Sequence, residues 1–302
     1  MRLHRSLSIA LLGLGFALST APSQTHAALI AYEGFSPGGP STNVVGTSNG
    51  SGFIGAWVDS VGTGQLNRTP DNNNMTAFPA NVPFATPTGG KVQIVGQNFA
   101  DNTVTRTLAN PVSLDGGKFY LSFLFNDYAA NTSAVDREAR VFLGNASQRI
   151  HIGPNYSDRV GVAIANATAE PFTVPAGPNR ADSAATFLGQ TGDPLLFIVA
   201  EFVTQSVGND TINVKAYSFT PGTGFVHTDP SHVVWDATLS FNGTGTLDQL
   251  GLYMEGLNFP EIDEIRLGQT WFDVTGVAIP EPASISLLAL GSLALLRRRA
   301  HA

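Results

Sequence analysis

The chain has 302 residues, 43% of them hydrophobic and only 13% charged, with 32 Gly, 18 Pro and no Cys. That apolar content excludes a disordered chain, and the glycine and proline content argues for many short elements joined by tight turns and against a helical bundle. Formal net charge is −7; setting aside Arg2, Arg5, Glu281, Arg297, Arg298 and Arg299 near the two ends leaves 11 basic and 22 acidic residues. An acidic body without a Lys/Arg cluster offers no footprint for nucleic acid or anionic lipid, and without cysteine there is no disulfide framework, thiolate metal site or thiol nucleophile.

In chain order, residues 1–27 come first: two arginines within the first five residues, an apolar run over 7–18, and small residues around Ala27 and Ala28. This is the pattern of a secretory signal cleaved by signal peptidase between Ala27 and Ala28. Twelve helical residues span about 18 Å, against about 30 Å of hydrocarbon, so a permanent anchor is not expected here.

The body follows over 28–276. Its hydrophobic period is two: Phe119, Leu121, Phe123 and Phe125 share one face, while Lys118, Tyr120 and Ser122 take the other. Ile212, Val214 and Ala216 alternate with Asn213, Lys215 and Tyr217 in the same way, and the nearly continuous apolar run 195–203 fits a strand at a sheet centre. Shorter strands are expected at 29–35, 91–95, 103–108, 140–143, 149–152, 159–164, 232–235, 249–254 and 261–267. No long segment has period 3.6. About a dozen antiparallel strands punctuated by Gly, Asn, Asp and Pro predict a two-sheet β-sandwich with one core.

The tail, 277–302, places Pro280, Glu281 and Pro282 before an apolar run of about fourteen residues, then Arg297, Arg298 and Arg299. The prolines stop any helix from running back into the body, and the arginines hold the terminus in the cytoplasm. A helix of about 21 Å is short for a permanent span but adequate for a transient one.

In its order of parts this tail resembles the PEP-CTERM sorting signal of exported proteins of Gram-negative-type bacteria. The resemblance implies an exosortase-type membrane protease that acts at Pro280-Glu281-Pro282, removes the tail and releases the body to the cell surface or extracellular matrix. The phrases Ala31-Tyr32-Glu33-Gly34-Phe35, Gly52-Phe53-Ile54-Gly55-Ala56-Trp57 and the closing run from Ile262 to Val274 resemble the edges of laminin-G-like, concanavalin A-type modules. They imply an all-β jelly roll of two antiparallel sheets with its first and last strands adjacent.

No catalytic residue is expected. Laminarinase-type enzymes on this fold carry Glu-x-Asp-x-x-Glu or Glu-x-Asp-x-Glu on one strand; Glu261 and Asp263 begin that pattern, but the third carboxylate is replaced by Ile265 or Arg266. Asp263, Glu264 and Arg266 are therefore read as polar groups that fix the last strand. His151, His227 and His232 are too dispersed for a metal triad; Gly222-Thr223-Gly224 and Gly243-Thr244-Gly245 read as hairpin turns. The triplets Asn145-Ala146-Ser147 and Asn242-Gly243-Thr244 read as turn chemistry. No metal or other cofactor is expected, although calcium held by separate loops stays open, with Asp71-Asn72-Asn73-Asn74 as a weak source of ligands. Trp57 and Trp271 are expected in the core, leaving Trp235, Tyr128 and Tyr156 as freer rings. The expected function is a non-enzymatic structural or carbohydrate-contacting module; the alternative is a glycan-active hydrolase or lyase with a noncanonical site.

Overall fold

The computed structural model describes residues 29–35, 42–61, 65–70, 90–95, 102–127, 138–155, 159–166, 178–184, 195–219, 233–255 and 260–276. The signal segment and the sorting tail lie outside them. The strands are β1 (Ala31–Glu33), β2 (Thr42–Asn43), β3 (Phe53–Val61), β4 (Gln65–Pro70), β5 (Gly90–Val95), β6 (Asn102–Ser113), β7 (Gly117–Asp127) and β8 (Glu138–Gly144). They continue with β9 (Gln148–Pro154), β10 (Val160–Asn166), β11 (Arg180–Asp182), β12 (Leu195–Thr204), β13 (Asp210–Phe219), β14 (Ala237–Phe241), β15 (Thr246–Glu255) and β16 (Pro260–Gly268). Among the described residues the one helix is α1 (Trp271–Thr275).

Every strand pairing is antiparallel. A nine-stranded sheet runs β14-β13-β12-β7-β16-β5-β4-β2 with β1 also on β16, and a seven-stranded sheet runs β11-β10-β9-β8-β15-β6-β3. The first and last strands lie side by side, with Ala31 opposite Leu267 and Glu33 opposite Ile265. The expected all-β sandwich of two antiparallel sheets is therefore what the chain forms.

Alternation explains the main core. Phe119, Leu121, Phe123 and Phe125 of β7 join Ile198 and Phe202 of β12, Ile212 and Val214 of β13, and Val141, Ile150, Leu250 and Leu252 of the facing sheet. Phe119 and Phe202 stack at 4.4 Å between ring centroids, 13° from parallel. The second face of β7 departs from the expectation of a sheet with a single buried side. Tyr120, Ser122 and Leu124 are buried, because α1 folds back over the outer face and seals a second apolar cluster. In that cluster Trp271 and Val274 cover Tyr120, Leu124, Leu195, Phe197, Val199 and Tyr217. With apolar packing on both sides, β12 reads as a continuous apolar run in the sequence.

The helix is short but closed at both ends. Thr270 Oγ1 accepts from Asp273 N at 3.2 Å, and Asp273 Oδ2 accepts from Thr270 N at 2.8 Å, a complete capping box. Gly276 ends it in the left-handed conformation, φ 73°, donating to Phe272 O.

Three expectations are corrected. Residues 233–235 are irregular; the strand comes later, as β14, because Asp236 turns the chain by accepting from Ala216 N at 2.9 Å. Gly243-Thr244-Gly245 does not close a hairpin: it carries the chain from β14 in one sheet to β15 in the other, with Gly245 at φ 84°. Strands β2, β3, β4 and β11 are absent from the sequence expectation; edge or near-edge positions demand less regular apolar alternation.

Candidate functional site

The closing strand carries the carboxylates that a hydrolytic reading would need, so their partners decide what they can do. Glu261 receives Lys91 Nζ at 2.5 Å and Asn126 Nδ2 at 2.9 Å. Asp263 Oδ1 accepts from the Glu264 backbone N–H at 2.7 Å, in a bulge where the register of β16 against β7 shifts between Asp263 and Arg266 and Glu264 takes φ 52°. Glu264 in turn binds Arg266 at 2.7 Å and accepts from Tyr32 Oη at 2.8 Å. Apart from half-buried Tyr32, all of these groups are buried. Asp263, Glu264 and Arg266 thus fix the final strand, as their sequence setting suggested.

A second knot ties the two sheets at the start of the chain. Glu33 Oε2 accepts from Trp57 Nε1 at 3.1 Å and from Arg106 at 2.6 Å, while its Oε1 accepts from Phe35 N at 3.0 Å. Arg106 also donates to Gly55 O at 2.9 Å and to Asn49 O, and its guanidinium lies 4.5 Å from the centroid of Phe53. Burial raises the Glu33 carboxyl above its ordinary value, opposed by Trp57 and Arg106; burial likewise lowers Arg106. Glu33 and Trp57 come from two of the phrases noted in the sequence, so the contact gives those phrases a structural role.

The outer face of the seven-stranded sheet holds a group that sequence reasoning missed. Arg149 lies 4.8 Å above Phe142, Arg140 lies 5.1 Å from Tyr253, and His151 packs 4.9 Å from Phe142 and 6.1 Å from Tyr253. Gly251 leaves room for the Phe142 ring, which occupies the space its Cβ would take. His151 is buried, and among the described residues neither ring nitrogen meets a hydrogen-bond partner. Burial, then Arg140 and Arg149, hold its pKa well below the usual imidazole range. The only sequence signal was the alternation Arg140, Phe142 and Arg149, His151, which puts four large side chains on one face.

Of the tryptophans, Trp57 and Trp271 are buried as expected. Trp235 is less free than its setting near a turn suggested: it packs edge-on to Trp271 at 6.4 Å, half-buried at the rim of the outer cluster. Tyr128, Tyr156, His227, His232, Gly222-Thr223-Gly224 and Asp71-Asn72-Asn73-Asn74 lie outside the described residues. Asn145 Oδ1 caps its own turn, accepting from Ser147 N at 2.8 Å and Gln148 N at 3.0 Å. Among the described residues no three His, Asp or Glu side chains converge on a common metal position, and no helix is long and apolar enough to cross a membrane. Ala27, Ala28, Pro280, Glu281, Pro282, Arg297, Arg298 and Arg299 also lie outside the described residues.

The tail is settled by comparison with known families. Residues 278–300 match the PEP-CTERM protein-sorting motif. The motif supports export with sorting of the C-terminus at the membrane and implies processing by an exosortase-type protease. No curated protein matches the chain in sequence. Among solved structures the chain is similar to the globular domain of T. cruzi calreticulin, at 8% identity and TM-score 0.41, covering 80% of this chain and 95% of that one. It is also similar to the exoplasmic/lumenal domain of VIP36 in its Ca2+/Man2-bound form, at 10% identity and TM-score 0.41, covering 81% and 91%. A carbohydrate esterase of the Shiga toxin-encoding bacteriophage phi24B matches at 14% identity and TM-score 0.38, covering 76% and 99%. The fold itself rests on the strand pairing above, and the sorting motif rests on its own match.

Proposed function

We propose that the chain is an exported protein whose body is held at the membrane by its C-terminal tail. After an exosortase-type protease cuts at Pro280-Glu281-Pro282, it serves at the cell surface or in the extracellular matrix of a Gram-negative-type bacterium. The observation that carries this reading is the sorting motif over 278–300, separated from the Gly276 cap of α1 by Val277 alone. Signal peptidase acts at the other end, between Ala27 and Ala28, on the pattern of arginines, apolar run and small residues.

The body is a binding or structural module rather than an enzyme. Three carboxylates that could have served hydrolysis, Glu33, Glu261 and Glu264, are each buried against a cation. Such pairs hold strands in register and commit these three carboxylates to structure, away from acid or base work on a glycosidic bond. Polysaccharide is its proposed contact: half-buried Trp235 combines a flat ring with the nearby hydrogen-bonding groups Lys215 and Asp236, themselves 2.8 Å apart.

Expression of the full chain in a host with an exosortase tests the sorting step. Mass spectrometry of wild-type mature protein is expected to find a C-terminus upstream of the apolar run, in the medium or matrix fraction. Glu281→Ala, which leaves the apolar run and the three arginines intact, is expected to remain with the membrane. A mature wild-type chain still ending in Ala302 overturns the reading. A glycan array of the released body, with and without calcium, tests the contact.

A further inference from the structure

We infer that the outer face of the nine-stranded sheet around α1, with Val234 and Trp235 at its rim, is the surface on which the membrane-embedded processing protease docks. The inference rests on the processing of the tail proposed above. It begins with where folding stops. Trp271, Val274 and Thr275 are buried; Ser122 Oγ donates to Val274 O at 2.8 Å, and Thr275 Oγ1 donates to Trp271 O at 2.8 Å. The body is thus secured up to Gly276, and only Val277, Ala278 and Ile279 separate that cap from Pro280. Four peptide steps reach at most about 14 Å. A protease that grips Pro280-Glu281-Pro282 therefore has the α1 face within that distance of its active site.

Peeling α1 away would relieve the contact only by exposing Trp271 and Val274. Two such side chains hold the open state below about one part in a hundred. The enzyme consequently meets the folded face. That face has the character of a docking rim: Val234 is 79% exposed beside Val233 and Trp235, which pack against the α1 cluster. Among the described residues, Lys215 and Asp236 beside this rim neutralise each other at 2.8 Å and present no net positive charge to anionic lipid headgroups. A protein partner suits it better.

The test uses the full-length chain in cells whose exosortase-type protease has been catalytically inactivated, so that the complex accumulates. A photo-crosslinking residue replaces Val234 in one strain. In another it replaces Ile54, which is 62% exposed on β3 at the edge of the opposite sheet. Crosslinks to the protease are expected from 234 and not from 54. They are expected to disappear when about twenty Gly/Ser residues, with a mean reach of roughly 25 Å, are inserted after Gly276. With active protease, Val234→Lys is expected to slow release by about fivefold while the circular dichroism of the body is unchanged. Equal crosslinking from both positions, crosslinks from 234 only to lipid or to a second copy of the chain, or release of Val234→Lys at the wild-type rate overturns the docking surface. Wild-type chain that keeps Ala302 in the presence of active protease overturns the processing reading itself; a correctly cut tail without the 234 crosslink overturns the surface alone.

Discussion

Arg106→Met removes the cation from a buried carboxylate while keeping most of the side-chain volume, so it isolates what the Glu33 knot contributes. In the native protein Glu33 lies between the sheets with three donors: Arg106, Trp57 Nε1 and Phe35 N. Loss of one partner of a buried ion pair costs about 3–5 kcal/mol, because the remaining charge is left without its counter-ion. The loss of the Arg106 bonds to Gly55 O and Asn49 O places the expectation in the upper half of that range. The pH dependence provides a second, independent signature. Burial already raises the Glu33 carboxyl above 4.5 with Arg106 present, and removing the cation raises it further. A folded-state pKa above the unfolded value means the native state holds the proton more tightly. Stability is therefore favoured below about pH 4.5 and lost as pH rises toward the folded pKa, at up to about 1.4 kcal/mol per pH unit. The deficit of Arg106→Met against wild type should accordingly be largest at pH 7 and shrink as pH falls toward 5. Urea denaturation followed by tryptophan fluorescence, with buried Trp57 as a reporter beside the site, measures both quantities. A deficit that is below about 1 kcal/mol at pH 7, or that stays constant across this range, refutes the buried charge pair.

Phe123→Ala should cost about 3–5 kcal/mol, since its ring is fully buried at the centre of the main core; an unchanged denaturation midpoint would mean that the inward face of β7 had been misassigned. Gly251→Val should destabilise by more than about 2 kcal/mol, because the added side chain enters the space of the Phe142 ring, and a folded variant of native midpoint would contradict the packing there. His151, held neutral by burial and two arginines, makes the native state a poorer proton acceptor than the unfolded chain. Wild-type stability should therefore fall as pH drops below about 6.5, by up to about 1.4 kcal/mol per unit, and His151→Phe should flatten that slope; an identical slope in the variant would remove the histidine from the account.

Legibility in the sequence followed the physics of each element. Alternation over β7 and β13 was readable because one face of each enters the main core, β12 was readable as a continuous apolar run, and the paired phrases at the edges were readable because Glu33 meets Trp57 and Tyr32 meets Glu264 there. The second apolar cluster was not readable. Trp271 and Val274 look like the end of a strand phrase until a five-residue helix folds them onto the outer face, a turn too short to show a period of 3.6. The His151 group was equally hidden, since aromatic and basic residues alternating with apolar ones read as an ordinary solvated face, whereas Arg140, Phe142 and His151 are buried.

The adjacency of β1 and β16 joins the two ends into one argument. Ile30 donates to Leu267 O at 2.8 Å and Ala31 lies opposite Leu267, so the chain enters the sandwich just beside the point where its last strand is about to leave it. Residue 28, the first after the expected signal cleavage, lies three positions before Ala31, whereas the sorting tail begins only after α1 has turned back over the outer face to Gly276. A body with distant ends would be pulled from opposite sides if both segments engaged one membrane. Here neighbouring strands carry both ends, so the β1–β16 pairing would be compatible with both segments engaging one bilayer. Because β1 is only three residues long, that pairing is a poor scaffold by itself. The knot of Glu33, Arg106 and Trp57 offsets this by tying β1 to the facing sheet, and the Tyr32 to Glu264 bond ties it to the bulge of β16. Glu33, Arg106 and Glu264 thus secure the first and last strands of the sandwich, a structural role that accounts for their burial.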